Sequence, residues 1–351
     1  MPHHRIAWLP GDGIGVDVCD ATRIVLDALP LDAEFVPGEI GWTCWERYGD
    51  SLPPQTVGLL EQVSCAFFGA AMSKPHVPGY RSPIVRIRRE FDLYAGVVPC
   101  RAYPGNPMNL HDDTDLVFFR SNSEGLSASV EFRPLPPELL AVPGVMAGLD
   151  PQAAAASLWV ITREGSRRLV RRAFEYAREK RRKKVTVVHK ANVHRETDGL
   201  FLEVAREVAG DFADIAFEEV NVDAAAGWLI RTPAAFDVIV PTSIFGTLLA
   251  DNAAQLVGGF GFVPTANLGT RLAVFEPMHG SAPKYAGQYR VNPIAAILAA
   301  RLMLEWLGET VLAARLEHAV AAVIREGKVR TYDMGGTNST LEMAEEIAHK
   351  L

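Results

Sequence analysis

Apolar runs of strand length alternate with stretches of helical period along most of the chain. Residues 5–9 form such a run and 11–15 a glycine-rich turn; beyond it Val18, Ala21, Ile24, Val25 and Ala28 fall on one helical face. Further strands are predicted at 66–69, 116–119, 158–161, 185–188, 215–220 and 238–240, many separated by helical stretches. This alternation predicts an α/β fold with a substantially parallel sheet. Pro293 precedes a predicted helix over 294–307, and a turn-rich segment at 332–340 leads into a final helix. The segment 131–150 is proline-rich and weakly periodic, which predicts an extended arm or hairpin outside the core.

Composition narrows the class. The 351 residues are 48% hydrophobic and 22% charged, a globular balance with room for one large domain or two medium ones. A net charge of -7 offers no general attraction to a polyanion. Arg167, Arg168, Arg171, Arg172 and the basic run at 180–184 are interleaved with Leu169, Val170, Ala173, Phe174 and Ala177, the pattern of a solvated helix face rather than a nucleic-acid patch. Cys19, Cys44, Cys65 and Cys100 show no C-x-x-C spacing and read as reduced thiols, not as disulfides or a zinc site. With no apolar run of signal-peptide or bilayer length, a cytoplasmic protein with neither nucleic-acid nor membrane partners is expected.

Two stretches carry candidate chemistry. Gly11, Gly13 and Gly15 invite a nucleotide-binding reading, but G-D-G-I-G lacks the G-x-G-x-x-G spacing and no acidic residue closes a Rossmann unit, so a tight strand-to-helix turn is expected. Residues 275–293, F-E-P-M-H-G-S-A-P-K-Y-A-G-Q-Y-R-V-N-P, combine small residues with His279, Lys284, Tyr285 and Asn292. Small residues let backbone N–H groups approach phosphate oxygens, and a ring and an amide can engage a base. On chemistry alone the same stretch also fits a polar surface loop.

Taken with other segments, this loop resembles the β-decarboxylating hydroxyacid dehydrogenases, the isocitrate/isopropylmalate dehydrogenase family, with homoisocitrate- and tartrate-dehydrogenase-like features. The segments are L-P-G-D-G-I-G, S-P-I-V-R-I-R-R-E-F-D-L-Y-A-G at 82–96, V-H-K-A-N-V at 188–193 and N-V-D-A-A-A at 221–226, followed by G-G-F-G-F-V-P-T-A-N-L-G and H-G-S-A-P. They span nearly the whole chain. The resemblance implies a two-domain α/β fold with the active site in the interdomain cleft. Residues 1–98 with 251–351 would form the cofactor-binding domain, and 99–250 the second domain with the dimer interface and a clasp arm at 131–150. It also implies a homodimer with shared active sites.

Residue by residue, the resemblance implies that His279, Gly280, Ser281 and Ala282 bind the adenosine end of the cofactor, with His279 and Asn292 near the adenine. Relatives that use NAD carry an acidic residue where Lys284 stands; Lys284 and Tyr285 with Tyr332 therefore imply NADP, with NAD the alternative. Lys190, which in isolation reads as a solvated strand end, matches the catalytic lysine. Arg88 and Arg120 match two arginines that grip substrate carboxylates, while Ser82 and Ile84 lie where relatives read the C3 substituent. Asp223 and Asp251 match carboxylates that hold Mg²⁺ or Mn²⁺, Asp223 counting also among the catalytic residues.

The family pattern breaks at several positions. Val98 replaces a third carboxylate-binding arginine, for which Arg101 is the nearest substitute. Ser127 stands where relatives have a proton-donating tyrosine, Ser121 where they have a glutamate, and Thr247 where they have a metal-binding aspartate. The expected function is NADP-dependent oxidation, with or without β-decarboxylation, of a small malate-like 2-hydroxy acid. A metal-independent dehydrogenase of a less anionic substrate and a catalytically silent NADP-binding regulatory subunit remain the alternatives.

Overall fold

The structure, a computed structural model, describes residues 4–74, 77–142 and 148–351. The chain begins with β1 (His4–Gly11), α1 (Ile14–Asp27), β2 (Ala33–Pro37), α2 (Trp42–Tyr48), α3 (Pro54–Glu61), β3 (Cys65–Ala70), α4 (Pro83–Glu90), β4 (Ala95–Arg101) and β5 (Asp115–Ser121). It continues through β6 (Glu131–Phe132), α5 (Pro137–Leu140), β7 (Ala156–Ser157), α6 (Arg163–Glu179), β8 (Lys184–His189), α7 (Thr197–Ala209), β9 (Ala216–Asn221), α8 (Val222–Arg231), β10 (Val238–Pro241) and α9 (Ser243–Leu256). The last part is β11 (Pro264–Leu268), β12 (Ala273–Pro277), α10 (Ile294–Trp306), α11 (Thr310–Glu326) and α12 (Thr340–His349).

Ten strands form one sheet in the order β2-β1-β3-β12-β11-β4-β5-β10-β8-β9. Two parallel wings, β2-β1-β3-β12 and β5-β10-β8-β9, are joined by β11 and β4, whose pairings with their neighbours are antiparallel. Strands β3, β10, β11 and β12 are buried along their whole length, as a sheet covered on both faces requires.

The expected strands at 66–69, 116–119, 185–188, 215–220 and 238–240 fall in β3, β5, β8, β9 and β10. The one expected at 158–161 is not a strand. Those residues are apolar because Trp159 packs its ring on His194 and Phe245, at 4.9 and 5.3 Å between centroids, rather than because they join a ladder. The segment expected as an arm begins in the two-stranded ribbon β6-β7 and includes α5; its residues 143–147 lie outside the described residues.

The two faces of the sheet are covered differently, and the difference positions the site. One face carries a continuous core under α1, α6, α7, α10, α11 and α12, with Phe67, Phe119, Phe174 and Phe275 at its centre. The opposite face carries two separate apolar clusters. Leu9, Phe68, Ile87 and Val274 pack with α3 and α4; Val98, Phe118, Ile239 and Leu249 pack with α8 and α9. Between them runs a strip of buried polar residues that includes Asn122, Asn267 and Glu276.

The basic face of α6 is neutralised by α7: Arg163 pairs with Glu203 and Glu207, Arg167 with Glu207, and Arg171 with Asp211, which follows α7. Exposed pairs of this kind contribute little stability but leave little free charge for a polyanion. All four cysteines are free and buried. No helix among the described residues is long and apolar enough to cross a membrane.

The G-D-G-I-G turn is held by close backbone approach. A Cβ on Gly15 would lie 2.4 Å from the Pro10 carbonyl oxygen and 2.6 Å from the Ala70 nitrogen. Gly15→Ala should therefore lower the unfolding free energy by about 1–3 kcal/mol through overpacking. A urea midpoint equal to that of the unaltered chain would show that the turn has room to spare.

Candidate functional site

The polar strip is built around two arginines. Arg88, in the last turn of α4, donates from Nε to Asn267 Oδ1 at 2.9 Å and from Nη2 to Glu276 Oε1 at 2.8 Å. Asn267 donates in turn to Glu276 at 2.7 Å and accepts from Asn122 at 2.9 Å, so Arg88 is held in a fixed orientation. Arg120, near the end of β5, sits opposite Gly96 of β4. A Cβ on Gly96 would come within 2.9 Å of Arg120 Cγ, and one on Gly246 within 3.0 Å of its Cβ, so the arginine occupies space that only glycines leave open.

No protein partner meets the Arg120 guanidinium among the described residues, and its Nε is shielded from solvent. Burial, then the neighbouring charge of Arg88, pulls its pKa down to about 10, against the opposing pull of Glu276 and Asp251. Burial also raises the Asp251 carboxyl, opposed by Arg120. Thr247 and Asp251 are four residues apart on α9 and share one face of it.

Val98 is fully buried in the apolar cluster with Cys100 and Phe118. Arg101 does not take the place of the missing arginine. Side chains of a strand alternate between faces, so an offset of three residues turns Arg101 to the far side of the sheet, where it pairs with Glu317 at 2.6 Å. Ser82 stands at the entry to α4, and Ile84 packs on the cluster beside it. Ser127 lies in the 3₁₀ turn Gly125–Ala128, its hydroxyl 3.5 Å from the Ser121 carbonyl.

A second group forms at the ends of β8 and β10. The buried carboxylate of Asp198 accepts from the Lys190 backbone N–H at 2.6 Å and from the Thr242 hydroxyl at 3.1 Å, fixing the residue that follows β8. Lys190 Nζ pairs with Asp223 in the first turn of α8. Asp223 and Asp251 belong to different groups: among the described residues no cluster of three or more His, Cys, Asp and Glu side chains could hold a metal ion. The donor set of one chain therefore does not fit a divalent cation by itself.

The third group lines a cleft of about 330 Å³ bounded by Ile14, Gly259, Gly261, His279, Tyr285 and Tyr332. The Ile14 N–H donates to the Ser281 carbonyl at 2.8 Å, tying the loop after β12 to the G-D-G-I-G turn. Gly280 and Ala282 also line the cleft, Ala282 in the left-handed region at φ 31°. Asn292 donates to Asp333 at 3.0 Å and accepts from the Ile294 N–H at 2.9 Å. His279 Nε2 is buried without a partner. Lys284 Nζ lies 4.7 Å from the Tyr285 ring, and Arg290 lies 5.9 and 5.4 Å from the Tyr285 and Tyr332 rings.

Sequence reasoning passed over Arg290, Glu276 and Asn267 although all three lie in quoted segments. Polar side chains inside otherwise apolar strands were the available signal for the last two. A cleft with glycine walls, an unpartnered ring nitrogen and two cations beside phenols fits an anionic dinucleotide.

Comparison with known proteins decides the class. The isocitrate/isopropylmalate dehydrogenase profile matches residues 5–347. The chain belongs to the isocitrate/isopropylmalate dehydrogenase family. It is similar to the 3-isopropylmalate dehydrogenase of Methanothermobacter thermautotrophicus, at 41% identity over 100% of this chain and 99% of the relative. It is 42% identical to the isocitrate/homoisocitrate dehydrogenase of Thermus thermophilus, over 99% of this chain and 98% of that one. The crystal structure of isocitrate dehydrogenase from Methylococcus capsulatus superposes with a TM-score of 0.91 at 39% identity, covering 99% of each chain. As a family member the protein is an NAD(P)-dependent hydroxyacid dehydrogenase, an oxidoreductase acting on a CH–OH group.

Burial holds the His279 imidazole below its ordinary pKa of 6.5, so it stays neutral in the folded chain. The unfolded chain takes up this proton first as pH falls, and stability present above the unfolded value is lost below it. His279→Gln should lose less stability than the unaltered chain between about pH 7 and about pH 5 in thermal melts. Parallel losses in the two proteins would show that His279 does not resist protonation.

Proposed function

We propose that the protein oxidises a malate-like 2-hydroxy acid with NADP, at a site completed by a second copy of the chain. The observation that carries the reading is the half-buried Arg120, whose Nε is shielded from solvent and whose guanidinium has no protein hydrogen bond or ion pair among the described residues. A partly desolvated charge without a protein partner is open to an anionic ligand, which would offset its desolvation. Arg88 and Arg120 would bind the substrate carboxylates, Ser82 and Ser127 would face the rest of the substrate, and Lys190 Nζ would receive the hydroxyl proton.

The cofactor supplies the hydride acceptor when bound. His279, Gly280, Ser281, Ala282 and Asn292 would hold its adenosine end. Lys284, Tyr285, Tyr332 and Arg290 would take the 2′-phosphate, and neither cation has a carboxylate partner among the described residues to compete with it.

Two copies are needed in this reading because Lys190 and Asp223 form one group and Arg88, Arg120 and Asp251 another. Exposed Trp228 and Ile230 on α8, with Ile244 and Leu248 on α9, supply apolar surface for the homodimer. The proposal divides the chain into 1–98 with 251–351 and 99–250. Mg²⁺ or Mn²⁺ would bind between Asp251 and a second copy's Asp223. Thr247 offers a neutral hydroxyl there, so affinity without substrate would be poor. The second reading, metal-independent oxidation without decarboxylation, is favoured by Thr247 and by the apolar setting of Val98.

A cofactor-reduction screen over 2-hydroxy acids, with NADP and NAD and with and without Mn²⁺, tests the proposal. NADP should be preferred by about 10- to 100-fold with malate-like acids, and Lys284→Asp should erase the preference. Turnover indifferent to Mn²⁺ selects the second reading. Cofactor binding without turnover of any acid defeats both and leaves the regulatory subunit.

A further inference from the structure

The face of the sheet opposite the polar strip holds a second charged cavity, of about 410 Å³, where β4 and β5 meet the C-terminal end of α6 and the flanks of α10 and α11. Five cations line it, Arg101, Lys180, Arg181, Arg182 and Arg301, against three carboxylates, Asp115, Glu305 and Glu317. Asp237, which pairs with Arg182 from outside the lining, makes a fourth carboxylate, and the remaining excess of one positive charge runs against the protein's overall charge of -7.

The pairing inside the cavity leaves the excess unmet. Arg182 is satisfied by Asp115 at 2.6 Å and Asp237 at 3.1 Å. Glu317 is divided between Arg101 at 2.6 Å and Arg301 at 3.3 Å, and Glu305 between Arg301 and Lys180, both at 2.9 Å. Two carboxylates thus serve three cations. Arg301 Nε is buried with no partner, and Arg181, exposed at the mouth, has no ion pair among the described residues. None of the residues assigned to the substrate and cofactor sites lines this cavity.

We propose that this cavity binds a small anion, a phosphate or a carboxylate, that bridges the α6 side to the α10–α11 side. The uncompensated charge is that of Arg181, which an anion would meet. Arg301, Arg101 and Lys180 are already oriented by shared carboxylates, so binding would need little reordering of the wall, and Arg181 would close over the ligand from outside. An ion-pair network alone would balance its charges; this one does not.

Isothermal titration with inorganic phosphate and with malonate, each against the full-length protein, separates the two sources by which binds more tightly. Arg181→Glu, exposed and outside every ion pair, should weaken the tighter probe at least about tenfold, and Arg301→Gln should do the same. Arg120→Ala and Lys284→Ala, which alter the other two anion sites, should leave it unchanged. Circular dichroism confirms that each variant is folded. Absence of saturable binding, unchanged affinity in both back-face variants, or loss in Arg120→Ala or Lys284→Ala would overturn the assignment.

Discussion

The partly shielded Arg120 guanidinium, with no hydrogen bond or ion pair among the described residues, governs the arrangement of the site face. Its desolvation is opposed in part by the charges of Glu276 and Asp251 nearby. The apolar cover of that face is split in two to make room for it. Gly96 and Gly246 clear the space around the side chain, and Arg88 is pinned beside it by Asn267 and Glu276. The other face has no such interruption and carries the continuous core that holds the sheet together. The site therefore follows from an asymmetry in packing.

Much of this was legible in the residue pattern. The alternation of strand-length and helical stretches predicts the class, and most predicted strands lie in the sheet because runs buried on both faces are nearly all apolar. The failure at 158–161 has a specific cause, since an apolar segment around Trp159 looks the same whether it pairs in a ladder or packs its rings. The antiparallel centre of the sheet escaped pattern reading for the opposite reason. Gly96 and Pro99 interrupt β4, and Asn267 and Glu276 place polar groups in β11 and β12, because these strands border the site.

The site residues were legible only through ordered motifs. Nothing in spacing alone joins Arg88 to Glu276, which are 188 residues apart. Arg101 shows the limit of sequence proximity: it is near Val98 in the chain and on the wrong face of the sheet. In the proposed reading the departures at Val98, Ser127 and Thr247 concern substrate and metal, while the glycine-walled cleft has its ring and amide, with Lys284 and Arg290 beside its phenols. Change concentrated there would alter what is oxidised more than whether a dinucleotide binds.

The central claim is that Arg120 is kept without a protein partner for an anionic substrate and not for the fold. Arg120→Met, of similar length and without charge, tests it in one protein by comparing thermal stability with hydroxyacid-dependent cofactor reduction. The account predicts stability unchanged or raised, because a partly desolvated charge gives way to an apolar side chain, together with activity lowered at least about 100-fold. Retained activity, or a chain that unfolds more readily while still turning over its substrate, would contradict it.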